Sequence, residues 1–452
     1  MNIIIVGCGK VGSTIAEHLH DEGHSIVVVD RRADKLETLS NKIDIMTVEG
    51  NGATNSILNE AGIENCDLLI AVTSLDEVNL YCCLIAKKAG AKNTIARVRN
   101  PEYAEDIHIV KDDLGLSLCI NPELTAANEI SRLIRYPGAI EINRFTKGGV
   151  ELYKLKIPEK SKLDGKLIKD INVKDKSNFQ ICVIERDDDV YIPSGDFMLK
   201  SLDKIYILSK PADAMKMFKV FDINVEKGRT AILVGGGKIA VYLAKFLISS
   251  NISVKIVEMN AERCEELSDI VPNATILCGD GLDKEFLLEE GLATVDSFAS
   301  LTGLDEENII LSLYAASVSN AKIITKINKL SFDNIISKMD IGSVIEPKYI
   351  TSEYIIQYVR AMQNSLSSNV ESVYKIVGGQ VEALEFSVKE ESFITGIKLQ
   401  ELELKDNLLV ASISRNGNLI IPSGSDTIEV GDSVIIVTTH KKLRDLTDIV
   451  RN

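Results

Sequence analysis

The same plan of residues is laid down twice along the chain. "NIIIV" leads into Gly7-x-Gly9-x-x-Gly12 and a helical pattern, and "TAILV", beginning at Thr230, leads into Gly235-Gly236-Gly237 and another. "IVVVD", ending at Asp30, returns as "VKIVE", ending at Glu258, and Gly50-Asn51-Gly52 returns as Gly279-Asp280-Gly281. Asp67 recurs as Asp296, "TSLDEVN" (Thr73 to Asn79) as "TGLDEEN" (Thr302 to Asn308), and Arg97 as Lys326, all at an offset of 229. "IPSGDFMLKSLDKIYIL" (Ile192 to Leu208) matches "IPSGSDTIEVGDSVIIV" (Ile421 to Val437) at the same offset. Such a chain folds as two copies of a two-part unit, giving four domains at residues 1–136, 137–223, 229–364 and 370–452. The breaks fall near Tyr136-Pro137-Gly138, in the polar stretch Asn224 to Arg229, and near Ser365 to Asn369.

Within the first part of each repeat, short β-branched runs alternate with amphipathic helical stretches. In the first copy Ile3–Val6, Ser25–Val29, Asp44–Val48, Leu68–Val72 and Thr94–Arg97 read as strands. That alternation predicts βαβ units and a parallel, doubly wound sheet. The second parts differ. "LLVASISRNGNLIIPSG" alternates apolar and polar residues about Asn416-Gly417, the dipeptide of a two-residue type I′ hairpin, and Asp187–Asp189 form the tip of its partner. The fold class is therefore α/β: two Rossmann lobes, each followed by a small α+β domain rich in hairpins. Pro122 and Pro347 fit the first position of a helix that ends each Rossmann lobe. The faces Ile130, Leu133, Ile134 and Tyr354, Ile355, Tyr358 pack either on their own sheet or across to a partner lobe, and periodicity alone leaves both open.

The glycine loops point to a nucleotide. Gly7 allows the tight turn, Gly9 lets backbone approach a pyrophosphate, and Gly12 lets the helix lie close to the strand. The helix start then turns free N–H groups toward the phosphates. Asp30 can accept from ribose hydroxyls and would repel a 2′-phosphate, which disfavours NADP. In the second copy Ala240 replaces the third glycine and Glu258 replaces the aspartate. Lys10 and Lys238 hold the same loop position, solvated or facing a phosphate. Thr73-Ser74 and Thr302 follow the fourth strands at the ligand-binding edge of such sheets, and Arg97 and Lys326 end the fifth strands there. These two cations suit phosphate or ribose contacts, with a local ion pair as the competing use.

Composition excludes other classes. A formal charge of -15 repels polyanions and anionic lipid, so nucleic acid and direct membrane adhesion are not expected. No apolar run approaches the roughly 18 residues of a membrane span, and no signal peptide is read at the start, so a cytoplasmic protein is expected. The eight cysteines form no C-x-x-C pair and read as small buried apolar groups. His18, His20 and His24, near the end of the first helix, suit solvation or a dipole contact better than a metal. The small lobes offer no convergent acid and base that could be delivered to a nicotinamide, so nucleotide binding without chemistry is the expected function. An NAD-dependent oxidoreductase is the alternative.

The ordered set of Gly7-x-Gly9-x-x-Gly12, Asp30, "GNGAT", "TSLDEVN", "ARVRNPEY" and the "IPSG" hairpin lobe, repeated along one chain, resembles the TrkA family of Trk-system potassium uptake regulators. These pair a lobe that regulates K+ conductance (RCK or KTN) with a TrkA-C lobe, and the resemblance covers essentially the whole length. It implies a cytoplasmic subunit, peripheral on the inner face of the cell membrane, that forms a homo-oligomeric ring of paired Rossmann lobes beneath a membrane K+ channel or transporter. NAD (NAD+ or NADH), or ATP and ADP, would bind its lobes and gate ion flow. Carried over by position, the contacts would be Gly7, Cys8, Gly9, Lys10, Val11, Gly12, Asp30, Asn51, Thr73, Ser74 and Arg97 in the first lobe. In the second they would be Gly235, Gly236, Gly237, Lys238, Ile239, Glu258, Asp280, Thr302 and Lys326. The resemblance also implies that the helices after Pro122 and Pro347 are crossover arms. Asn51 departs from the aspartate that the family often carries there, as Asp280 does. Other members of the wider family sense cyclic dinucleotides in the small lobes, a third reading.

Overall fold

The computed structural model describes residues 1–145, 149–171, 179–187, 189–223, 228–328, 339, 341–364, 370–441, 443 and 445–451. The expected linkers at 224–227 and 365–369 and the hairpin residue Asp188 lie outside the described residues. Contacts cluster the chain into two compact units, residues 1–131 with 229–356 and residues 132–228 with 357–452. The first unit holds both Rossmann lobes and the second holds both small lobes.

In the first lobe, β1 (Asn2–Val6), β2 (Ser25–Asp30), β3 (Met46–Glu49), β4 (Leu68–Ala71), β5 (Asn93–Arg97) and β6 (Leu118–Ile120) form one sheet in the order β3-β2-β1-β4-β5-β6. All pairings are parallel. The central strands β1 and β4 are covered on both faces, which is why they read as unbroken apolar runs rather than alternating ones. β3 starts two residues later than the sequence suggests, and β6 is a strand the sequence reading missed, because three residues are too few to display a period.

The second unit is built from antiparallel sheets. In the first small lobe β7 (Glu141–Arg144), β8 (Glu151–Lys156), β9 (Phe179–Arg186), β10 (Asp189–Tyr191) and β11 (Lys204–Ser209) run in the order β10-β9-β11-β8-β7. The second Rossmann lobe repeats the first, with β12 (Thr230–Val234), β13 (Ser253–Glu258), β14 (Thr275–Cys278), β15 (Ser297–Ser300), β16 (Lys322–Lys326) and β17 (Ser343–Ile345) ordered β14-β13-β12-β15-β16-β17. β18 (Val370–Ile376), β19 (Val381–Ser387), β20 (Leu408–Arg415), β21 (Asn418–Ile420) and β22 (Ser433–Thr438) then repeat the small sheet. Between β20 and β21, Asn416 at φ 52° and Gly417 at φ 77° supply the two left-handed residues of a type I′ turn. In each small lobe an arginine on the hairpin clamps a nearly fully buried aspartate, Arg186 on Asp203 and Arg415 on Asp432. One core serves both small lobes: Phe145, Leu152, Val183 and Tyr206 pack with Ile376, Val381, Ala383 and Ile435.

Both Rossmann lobes anchor their first strand with an aspartate. Asp296 Oδ2 accepts from the Arg229 and Thr230 amides at 2.8 and 3.0 Å and from Thr230 Oγ1 at 2.8 Å. Burial pushes this carboxyl up, but those donors outweigh it and hold it below its usual range. A depressed carboxylate contributes stability above its unfolded pKa of about 3.9 and loses it as pH falls through the folded value. Asp296→Asn is therefore expected to cost about 1 kcal/mol at neutral pH, discounted for partial exposure. It should also flatten the decline of stability below about pH 4, which urea midpoints across a pH series would read.

Several local expectations need correction. Cys278 is exposed at the end of the edge strand β14, and Cys119 is only half-buried on β6, the edge strand of the other sheet. His24 is buried beside the terminal amine rather than solvated, and its Nδ1 lies 3.4 Å from that nitrogen. Among the described residues no group of three or more His, Cys, Asp or Glu could hold a metal. In the helix Pro347–Asn364 the buried stripe is Thr351, Ser352, Ile355, Ile356 and Val359, while Tyr354 is exposed. Thr351 and Ser352 turn their hydroxyls back onto the carbonyls of Pro347 and Lys348, which satisfies them in the interior, so the buried face runs through these two residues and Tyr354 falls outside it.

Candidate nucleotide site

β1 ends in a turn at Gly7, whose φ of 109° is left-handed and whose amide donates to Val29 O at 2.8 Å. The helix Lys10–Asp21 then starts at Gly9 with no side-chain cap and no acid in its first turn, so its first N–H groups face outward. Gly12 sits so close to the turn that a Cβ there would lie 1.9 Å from Gly7 O. Asp30, ending β2, is fixed before any ligand arrives: Oδ2 accepts from Cys8 N at 2.6 Å and Oδ1 from Arg32 N at 2.9 Å.

The second lobe builds the same cradle. Gly235 (φ 103°) makes the turn, and Gly237 starts the helix Lys238–Ser249 without a side-chain cap. Glu258 Oε2 accepts from Gly236 N at 2.8 Å and Oε1 from Asn260 N at 2.9 Å. The extra methylene of glutamate thus reaches the same loop amide. Ala240 is fully buried at the position of Gly12.

A cleft of about 740 Å3 lies over the first cradle and one of about 700 Å3 over the second. Gly7, Gly9, Lys10, Val11, Asp30, Asn51, Thr73, Ser74 and Arg97 line the first. Cys8 and Gly12 do not: Cys8 points its thiol at Lys35 O, and Gly12 lies behind the turn against Val72. In the second, Gly235, Gly236, Gly237, Lys238, Ile239, Glu258, Asp280, Thr302 and Lys326 are all on the lining.

The two cations at the ends of β5 and β16 are held by the loops after the fourth strands. Arg97 Nη2 donates to Thr73 O, and Lys326 Nζ donates to Leu301 O at 2.9 Å. Burial lowers the pKa of both, and Arg99 adds to the effect at Arg97. Arg97 Nε is buried with no partner among the described residues, a donor still available to a ligand.

The residues that set these loops lie outside the glycine-loop motif. Asn79 is fully buried; its Oδ1 accepts from Thr73 N and Thr73 Oγ1 at 2.7 Å, and its Nδ2 donates to Arg97 O at 2.9 Å. Asn308 repeats this with Thr302 N and Lys326 O, both at 2.9 Å. Asp76 Oδ2 receives the amides of Arg99 and Asn100, each at 2.8 Å. The signal was present, since both asparagines end the repeated "TSLDEVN" and "TGLDEEN", but a buried amide linking two loops leaves no periodic trace.

The lobes also complete each other's clefts. Arg99 and Glu123, ion-paired at 2.5 Å, line both, as do Gly303, Asn328 and Pro347 of the second lobe. Asn121 Nδ2 donates to Tyr242 Oη at 2.9 Å, a buried bond from the start of the helix Pro122–Arg135 to the second lobe. The start of this helix therefore meets the opposite lobe as well as its own.

Sheet order, turn, helix start and carboxylate together define a protein with two Rossmann-type lobes in tandem. The TrkA-N domain family matches residues 3–122 and 231–347, and the TrkA-C domain family matches 152–222 and 383–451. The chain belongs to the TrkA family of Trk system potassium uptake proteins. The Trk system potassium uptake protein TrkA homolog of Archaeoglobus fulgidus is 33% identical over 451 residues, which is 100% of each chain. The Trk system potassium uptake protein TrkA of Halomonas elongata is 32% identical over 450 residues, covering 99% of this chain and 98% of its own. Among solved structures, the GsuK channel bound to NAD superposes with a TM-score of 0.61 at 16% identity, over 97% of this chain and 77% of that one, a likeness of fold. The relatives are named as uptake proteins and not as enzymes, which sets the oxidoreductase alternative aside. No helix among the described residues is long and apolar enough to cross a membrane.

Proposed function

We propose that this chain is the regulatory subunit of a Trk-type potassium uptake system, working at the inner face of the cell membrane. In this reading NAD, NADH, ATP or ADP occupies the two clefts, alters how the Rossmann lobes pack, and thereby gates a membrane K+ channel or transporter. The chain acts as a homo-oligomeric ring, with its four domains at 1–136, 137–223, 229–364 and 370–452. The observation that carries the reading is that each cleft is finished by the opposite lobe, through Arg99 and Glu123 on one side and Gly303, Asn328 and Pro347 on the other. A ligand in either cleft therefore touches the lobe contact, and a differential affinity of about 1–3 kcal/mol between two packings is enough for a switch. Asp30 and Glu258, preset by loop amides, suit a ribose with free hydroxyls, and NAD is the ligand of the GsuK structure.

The test is K+ flux in vesicles carrying the membrane subunit and the purified chain, with each nucleotide added in turn. Flux is expected to differ severalfold or more between nucleotides, with NADH recovered unoxidised. Flux indifferent to every nucleotide would remove the gating role, and enzyme-like oxidation of NADH with small oxo acids would restore the oxidoreductase.

A further inference from the structure

The two cradles share their backbone but not their charge. Arg31 and Arg32 follow Asp30 in the first lobe, where Met259 and Asn260 follow Glu258 in the second. Asn51 stands where the second lobe has Asp280, and Val78 where it has Glu307. All four steps make the first cleft more positive. The acid that pairs with Arg32, Asp34, has its own counterpart in Glu262, so it does not cancel the difference. Glu49, matched by Cys278, runs the other way but lies off the lining. The opposite lobe leaves the gap as it is, because Lys348, which lines only the first cleft, is balanced by Glu346 at 3.9 Å, and the Arg99–Glu123 pair is common to both.

From this we infer that the clefts divide nucleotides by phosphate charge: the first is the site for a nucleoside triphosphate, and the second for a dinucleotide. This rests on the nucleotide-binding reading above. A terminal phosphate adds roughly two negative charges beyond a pyrophosphate. Four charge steps within about a Debye length of it favour the triphosphate in the first cleft by roughly tenfold. The second cleft offers carboxylates instead, Glu258 and Asp280, which accept from ribose hydroxyls and repel additional phosphate.

Blocking variants make each site readable in the full chain. At Gly9 and Gly237 the backbone is extended, and a Cβ meets nothing within 4 Å, so a side chain enters the cradle without strain. Gly237→Glu leaves only the first cleft open and Gly9→Glu only the second. ATP and NADH binding is measured by calorimetry without divalent cations, at low and high salt. ATP is expected to be preferred over NADH by roughly tenfold in Gly237→Glu, with a gap that closes as salt screens it, and to be disfavoured in Gly9→Glu. Equal ATP-to-NADH ratios in the two variants, or reversed ones, overturn the division. If the unmodified chain binds neither nucleotide, the underlying reading fails instead. Should a blocking variant not fold, Asp280→Asn with Glu307→Val in the otherwise unmodified chain asks the same question. It should tighten ATP severalfold at the weaker of two sites, and no tightening overturns the proposal.

Discussion

Gly12→Ala is expected to lower the stability of the Rossmann unit by about 3 kcal/mol, the upper end of what overpacking a tight contact costs. The added methyl would lie 1.9 Å from Gly7 O, and the carbonyl cannot retreat because Gly7 is itself held by Val29 and backed by the chain at Val72 and Thr73. The helix Lys10–Asp21 would have to lift off the sheet, opening the turn that presents Gly9 and unseating Cys8 N from Asp30. Binding at the first cleft should therefore disappear while the second keeps its ligand. The second lobe provides the control, since Ala240 already fills the corresponding position there. Ala240→Gly should cost only about 1 kcal/mol, the helix penalty of glycine. Thermal midpoints and nucleotide stoichiometry would check both, and an unchanged midpoint for Gly12→Ala would show that the lobe tolerates the helix shift.

A second large effect is expected at Asn79. Asn79→Leu keeps the branched outline, with somewhat more bulk, but strands Thr73 N and Arg97 O, and losing partners at two half-buried backbone groups costs about 2–4 kcal/mol. The loop carrying Thr73 and Ser74 would no longer be tied to the end of β5, so affinity at the first cleft should fall by more than about tenfold, or 1.4 kcal/mol. Asn79→Asp separates the two roles. It retains the acceptor for Thr73 N and replaces the donor to Arg97 O with a like-signed oxygen, so an intermediate loss is expected. Asn308→Leu should act in the same way on the second cleft alone. If the two variants weaken both clefts equally, the loops are not independent.

What could be read from the residues divides by range. The duplication was legible because residue types at fixed offsets need no folding to be compared, and it carried the lobe order with it. The hairpin at Asn416-Gly417 was legible because two left-handed residues in succession are a local demand. Asp30 and Glu258 could be matched by distance from their loops, although the amides that hold them could not be named in advance. β6 escaped because the short run at Leu118–Ile120 is fixed by its neighbour β5 rather than by its own pattern. Glu123 and Lys348 escaped for a different reason. Their place at the clefts depends on how one lobe lies against the other, and nothing in either stretch of sequence encodes that meeting. Spacing puts Tyr354 on one face with Ile355, whereas the buried face runs through Thr351 and Ser352, whose hydroxyls bond locally and so leave no polar mark that spacing can read.

The interior common to the two hairpin lobes has a consequence for how the repeats are inherited. Phe145 and Tyr206 from one repeat and Ile376 and Val381 from the other fill the same space, so neither repeat is finished when severed from its sibling. Two separate half-chains would have to find one another by diffusion. Fusion into one polypeptide turns that search into an intramolecular one, at an effective concentration on the order of millimolar. Each molecule then carries one of each half, and selection is free to let the siblings drift apart in temperament without losing their partnership.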